Sequence, residues 1–143
     1  MGVVVVTGGS RGIGRAAVEL FSKNGETVYF LYEKDVESSK IVEKTTGATG
    51  FRCDVSNFIE TERVFSTIGD VDTLVCAAGI CHYGLLQDTD EQTFDRLFAV
   101  NVKGIYNCVR AALPGFLRRQ AGSIVTVASM WGETGASCEA VYS

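Results

Sequence analysis

Val3-Val4-Val5-Val6-Thr7-Gly8-Gly9-Ser10-Arg11-Gly12-Ile13-Gly14 decides the fold. An unbroken apolar run of strand length reads as a strand covered on both faces, and the glycines that follow it open a helix predicted over Ile13 to Lys23, ended by Asn24-Gly25. Gly8 permits a tight turn, Gly12 lets backbone approach a pyrophosphate, and Gly14 allows close packing of the helix, whose N-terminal amides favour an anion. The spacing is Gly-x-x-x-Gly-x-Gly, distinct from Gly-x-Gly-x-x-Gly, and it lacks the Gly-Lys-Ser/Thr of a triphosphate loop.

The same alternation continues outward from this turn. Strands are predicted at Val3 to Thr7, Thr27 to Tyr32, Gly50 to Cys53, Thr73 to Ala77 and Ser123 to Ala128. Helices are predicted at Val36 to Lys44, from an Asn57 N-cap to Ile68, and as one or two segments between Asp90 and about Arg119, with Pro114 marking a kink or break. Strand-helix-strand repetition requires crossovers, so the fold class is α/β, a Rossmann-type doubly wound parallel sheet covered on both faces. One domain over residues 1–143 is expected, with no linker or repeat.

Composition narrows the function classes. With 143 residues, 46% of them hydrophobic, the chain can bury a sizeable core. A net charge of −4 with scattered basic residues argues against a nucleic-acid partner. No apolar run is long enough to span a bilayer, and the start of the chain lacks a signal-peptide pattern. Five cysteines without a C-x-x-C pair, beside a single histidine, argue against a disulfide framework and a metal site. A cytoplasmic location with reduced thiols is the expectation.

The Thr-Gly-x-x-x-Gly-x-Gly turn resembles that of the short-chain dehydrogenase/reductase superfamily, and further motifs follow in family order. Asp54-Val55 matches the family's acidic residue at the adenine. Cys76-Ala77-Ala78-Gly79 sits where Asn-Asn-Ala-Gly is usual. Asn101-Val102-Lys103-Gly104, Ser129 and Tyr142 match the family's catalytic Asn, Ser and Tyr. Taken singly, Ser129 also reads as a turn cap, Asn101 as a partner for buried backbone and Tyr142 as a packing residue; order and spacing together make the match specific.

What the resemblance implies is an oxidoreductase that reduces a carbonyl to an alcohol, similar to 3-oxoacyl-acyl-carrier-protein reductases. The stretch from Ser129 to Glu139 also looks like a subgroup that reduces a 5-aminopentanone group on elongation factor P. The implied substrate is a small-molecule or carrier-linked carbonyl. Gly8, Ser10, Arg11, Gly12, Ile13, Gly14, Tyr32, Asp54, Val55, Ala77, Ala78 and Gly79 would hold the nicotinamide dinucleotide. NAD-dependent members commonly end strand two in Asp, whereas the aligned residue here is Tyr32. Arg11 is placed like the Arg that faces the 2′-phosphate in NADP-dependent members, so NADP(H) is favoured over NAD(H). Glu33 would repel that phosphate if it pointed inward, and Lys34 would offset it.

Ser129 would donate to the substrate carbonyl, Tyr142, expected at the start of a helix, would protonate its oxygen, and Asn101 would hold a water in the proton path. A phenol with an unperturbed pKa of about 10 needs a nearby cation to work near neutrality, and the family's lysine falls three residues past Ser143. The expectation is therefore the N-terminal part of a longer, homo-oligomeric fold, lacking its C-terminal part and truncated after the catalytic tyrosine. A dinucleotide-binding module without catalysis and an inactive remnant of the fold remain the alternatives. Less specific residues are His82, read as a loop residue; Cys76, a buried small hydrophobe; Phe94, Leu97 and Phe98, read as core; and Trp131, facing either the substrate pocket or the packing beneath the loop.

Overall fold

A computed structural model describes residues 1–143. Five strands form one parallel sheet in the order β3-β2-β1-β4-β5: β1 Val3–Thr7, β2 Thr27–Tyr32, β3 Thr49–Arg52, β4 Thr73–Cys76 and β5 Ser123–Thr126. β1 lies between β2 and β4, with Val4 opposite both Val28 and Thr73. The chain order reverses direction between β1 and β4, and this switch point is where an open α/β sheet leaves a crevice.

Alternate side chains of the central strands enter different cores, as a period of two requires. Val5, Leu31, Leu74 and Cys76 pack with α3 (Phe58–Ile68) and α5 (Gly104–Arg119) through Val64, Phe65, Cys108, Ala112 and Phe116. Val4, Val6, Val28, Phe30 and Val75 pack on the opposite face against Val18 of α1 (Gly12–Lys23) and Val42 of α2 (Val36–Thr46). Asn57 caps α3 by accepting from the Ile59 and Glu60 amides, as its sequence position predicts.

The remaining helices are α4 (Glu91–Phe98) and the short α6 (Trp131–Thr134); a π-helical turn over Ala99–Lys103 joins α4 to α5. Pro114 does not end a segment: α5 runs through it. Proline's fixed φ is helical, and Ala112 and Phe116, buried on either side of it, outweigh the one lost hydrogen bond. The expected irregularity occurs earlier, at the π turn.

Two other expectations are corrected. β5 is exposed along its whole length because β4 is its only strand neighbour and the helices pack on the other strands. Of the predicted apolar stripe on α4 only Leu97 is buried; Phe94 and Phe98 lie outside and stack on each other at 4.5 Å. Tyr142 lies in a turn closed by the Ser143 amide on the Glu139 carbonyl at 2.8 Å.

Candidate functional site

The carboxyl end of β1 is tied directly to that of β4. The buried Thr7 hydroxyl accepts from the amides of Ala77 at 3.1 Å and Ala78 at 3.0 Å. This clamp brings the next residue, Gly8, against Ala78: a Cβ on Gly8 would stand 2.8 Å from the Ala78 Cα, and φ of +69° already favours glycine. A Cβ on Gly14 would land on the Gly8 carbonyl. Gly12, at φ +54°, has open space where a Cβ would be. Gly9, given no role from sequence, lies so close to β2 that a Cβ would be 2.5 Å from that of Phe30. The signal for it was the Gly8-Gly9 pair itself.

α1 begins without help from any side chain. Arg11 occupies the cap position in extended conformation and makes no capping bond, and the first turn carries no acidic residue. The leading amides of a helix have no partners within it, so this end presents donors and a positive dipole end.

A cleft of about 730 Å³ opens over this turn, within the range of small-ligand sites. Gly8, Ser10, Arg11, Gly12, Ile13 and Gly14 form one wall; Tyr32, Asp54 and Val55 lie at the end toward β2 and β3; Ala77, Ala78 and Gly79 lie at the end toward β4. The twelve residues singled out from sequence as cofactor-binding thus line a single cavity. Ser10 is buried in its wall.

Charged side chains crowd the β2 and β3 end. Arg11 Nε lies 3.4 Å from Asp35 Oδ2, with the arginine side chain 78% exposed. Asp35 also caps α2 by accepting from the Ser38 amide at 3.0 Å, and these hydrogen bonds from Ser38 hold its carboxyl below the usual range. Glu33 is held by Arg96 Nη2 at 3.0 Å and by Lys34 Nζ at 3.4 Å. The other arm of Arg96, Nη1, reaches Asp54 Oδ2 at 3.0 Å and Ser56 Oγ at 2.9 Å. Desolvation pushes the Asp54 carboxyl up, but hydrogen bonds from Ser56 and from Arg96 outweigh it and hold it below the usual value. Sequence reading named neither Asp35 nor Arg96.

On the opposite side, Asn101 lies in the π turn. Its Oδ1 accepts from the Ile80 amide at 2.9 Å and its Nδ2 donates to the Ile80 carbonyl at 2.8 Å, fixing the segment after Gly79. Single π turns inside helices recur at functional sites. Ser129 follows β5, is half-buried, and accepts from the Trp131 amide at 3.2 Å. Tyr142 is also half-buried. None of the three lines the cleft; Asn101 braces its wall through Ile80, which does. His82 hydrogen-bonds Thr89 at 3.1 Å within the loop, and Cys76 is buried as read from sequence. No helix is long and apolar enough to cross a membrane, and no cluster of histidine, cysteine and carboxylate side chains could hold a metal ion.

The chain is 33% identical over 146 residues to the uncharacterized oxidoreductase YmfI of Bacillus subtilis, a match covering 97% of this chain and 60% of that protein. It is 33% identical to the 3-oxoacyl-acyl-carrier-protein reductase FabG of Staphylococcus aureus, over 96% of this chain and 60% of that one. Among solved structures, a putative betaketoacyl-ACP reductase superposes with a TM-score of 0.92 at 30% identity, covering 99% of this chain and 59% of the other. A short-chain dehydrogenase from Streptomyces avermitilis does so with a TM-score of 0.92 at 29% identity. The chain therefore spans about 60% of the length of the curated relatives it matches. Residues 2–143 match the model of the short chain dehydrogenase family, and the chain belongs to that family.

Proposed function

We propose that this chain forms the dinucleotide-binding part of an NADP(H)-dependent reductase that converts a small-molecule or carrier-linked carbonyl, of the 3-oxoacyl type, to an alcohol. The carrying observation is the cleft at the β1/β4 switch point, whose wall is the glycine turn and uncapped start of α1. The fit to a dinucleotide rests on the chemistry of this wall. Open space at Gly12 and unpartnered helix amides suit a pyrophosphate, and Asp54 and Val55, which line the same cleft, are proposed to face the adenine.

The bound nicotinamide would supply a hydride to the carbonyl carbon. In this reading Ser129 donates a hydrogen bond to the carbonyl oxygen, and the Tyr142 hydroxyl gives that oxygen a proton. Asn101 orders the Ile80 segment and orients a water in the proton path. The family's lysine after the tyrosine falls past Ser143, so turnover is proposed for a protein whose chain continues through it. Arg11 is proposed to recognise the 2′-phosphate, exchanging its Asp35 partner for the phosphate; a pair this exposed is weak enough to exchange.

Calorimetric titration with NADP⁺ and NAD⁺, for the native chain and Arg11→Ala, tests cofactor choice. Preference for NADP⁺ that falls in the variant supports the reading; an unchanged preference refutes the role of Arg11. Reduction of an acetoacetyl thioester by the protein extended through the lysine, far faster than by residues 1–143, supports the catalytic assignment. Equal turnover by the two refutes the lysine's part in it, and cofactor binding without turnover in the extended protein would favour a binding module.

A further inference from the structure

Glu33 is one of three carboxylate residues that line the cavity, with Asp35 and Asp54. A free carboxylate there would oppose a second anionic phosphate on the ribose. It is not free. Arg96, which is not part of the cavity wall, reaches across from α4 and holds Glu33 with one arm and Asp54 and Ser56 with the other. The partners lie 63, 42 and 40 residues away in sequence, so this one guanidinium pins together the ends of β2 and β3. Arg52 adds a bond from its Nε to the Glu33 carbonyl at 3.1 Å, fixing the backbone of the same residue.

We propose that Arg96 is a positioning residue for cofactor choice: anchored on Asp54 and Ser56 by one arm, it draws Glu33 onto the other and removes that carboxylate's repulsion from a 2′-phosphorylated dinucleotide. A planar fork is suited to this because two separate carboxylates can be engaged at fixed angles, which a lysine ammonium cannot do. Lys34 does not replace it, being 81% exposed and 3.4 Å from Glu33. The inference rests on the proposed preference for NADP(H), and it assigns the tolerance for the extra phosphate to a residue outside the cavity wall.

The test is a double-mutant cycle on the full chain with Arg96→Met and Glu33→Gln, reading dissociation constants for NADP⁺ and NAD⁺ by calorimetry. Arg96→Met is expected to lower the ratio of NADP⁺ to NAD⁺ affinity about fivefold, the effect of one uncompensated unit charge near a phosphate in a high-dielectric cleft. In the Glu33→Gln background the same substitution is expected to change the ratio less than about twofold. Equal loss of both ligands would show a merely structural role and overturn the proposal. A ratio loss that persists without the Glu33 charge would also overturn it, because Arg96 would then act through the phosphate itself or through Asp54 and not through Glu33.

If Arg96→Met does not fold, Arg96→Lys serves: its ratio is expected to fall at least about twofold and to recover on adding Glu33→Gln, and an unchanged ratio refutes the inference. The native ratio tests the NADP(H) preference, whereas only the change in ratio tests Arg96. A native chain that preferred NAD⁺ would still shift in the same direction.

Discussion

Replacing Thr7 with valine removes one oxygen and leaves the shape of the side chain, so its cost isolates the clamp between β1 and β4. The Thr7 hydroxyl accepts both the Ala77 and the Ala78 amide, and the residue is 2% exposed. A fully buried amide left without an acceptor costs roughly 1–3 kcal/mol. Ala77 and Ala78 line the cleft and are half-buried, so water reaches them and the lower part of that range applies to each. Thr7→Val is therefore expected to destabilise by about 2–3 kcal/mol. Thr7→Ser keeps the acceptor and loses one methyl group, for about 1 kcal/mol. Urea unfolding followed by circular dichroism gives both values, with an unchanged slope showing that the unfolded state is not altered. Loosening the clamp also lets Ala78 move from Gly8, so NADP⁺ should bind more weakly to the valine variant than to the serine one. The reasoning is refuted if Thr7→Val costs less than about 0.5 kcal/mol, the range of a neutral surface change, or if serine is as damaging as valine.

Gly14→Ala drives a methyl group onto the Gly8 backbone, which cannot yield, and is expected to cost about 3 kcal/mol and abolish dinucleotide binding; Gly12→Ala, with open space but positive φ, should cost about 1–2 kcal/mol while binding falls far more. Thermal melts and calorimetry separate the two. Asn101→Ala releases both hydrogen bonds to Ile80 and should raise the exchange rate of the Ile80 amide while leaving that of the central β1 amides unchanged, as hydrogen-exchange NMR would show. Because Asp54 titrates below its unfolded value, its contribution to stability is complete above about pH 4 and fades as pH falls through the native value; Asp54→Asn should flatten this acid limb of urea midpoints measured against pH. Burial pushes the Cys53 and Cys76 thiols up to about 11 and raises Cys108 as well, so brief alkylation near pH 8 should label exposed Cys81 and spare those three until urea unfolds the chain. Mass spectrometry of the labelled peptides reads the outcome.

The sheet and the glycine turn were legible because their signals are local. Four consecutive valines, a Gly-rich turn and a helical period sit within residues 3 to 23, and each specifies its own backbone. The partners of the charged rim were not legible in the same way. Arg96 lies in a helix whose sequence gives no hint that Glu33 and Asp54 face it, since only the folded sheet brings residues 33, 54 and 96 together. Glu33 and Lys34 were recognised as relevant, yet their sequence left open whether they face the cleft or the solvent. Phe94 and Phe98 were misread because helical spacing identifies a shared face without saying whether another element covers it. The helix does not break at Pro114, because propensity reports a local penalty and leaves out the burial of Ala112 and Phe116 on either side.

These differences divide the site into parts that answer to different physics. The glycine wall of the cleft is backbone geometry, set by Gly8 and Gly14, where a single methyl group would collide with the chain itself. The end of the cleft toward β2 and β3 is electrostatic, and side chains far apart in sequence bring carboxylates and guanidinium groups to balance in an acidic chain. The residues proposed to act on a carbonyl belong to a third part: Ser129 follows the exposed strand β5, and Tyr142 lies in a single turn. The first two parts are anchored on β1, β2, β3 and β4, whereas Ser129 and Tyr142 follow β5 at the edge of the sheet. Dinucleotide affinity and carbonyl turnover should therefore be separable by substitution. Tyr142→Phe, in a protein extended through the family's lysine, should leave the NADP⁺ dissociation constant within about twofold while removing turnover. A matched loss of both would mean that the reaction side also holds the cofactor, and the division would be wrong.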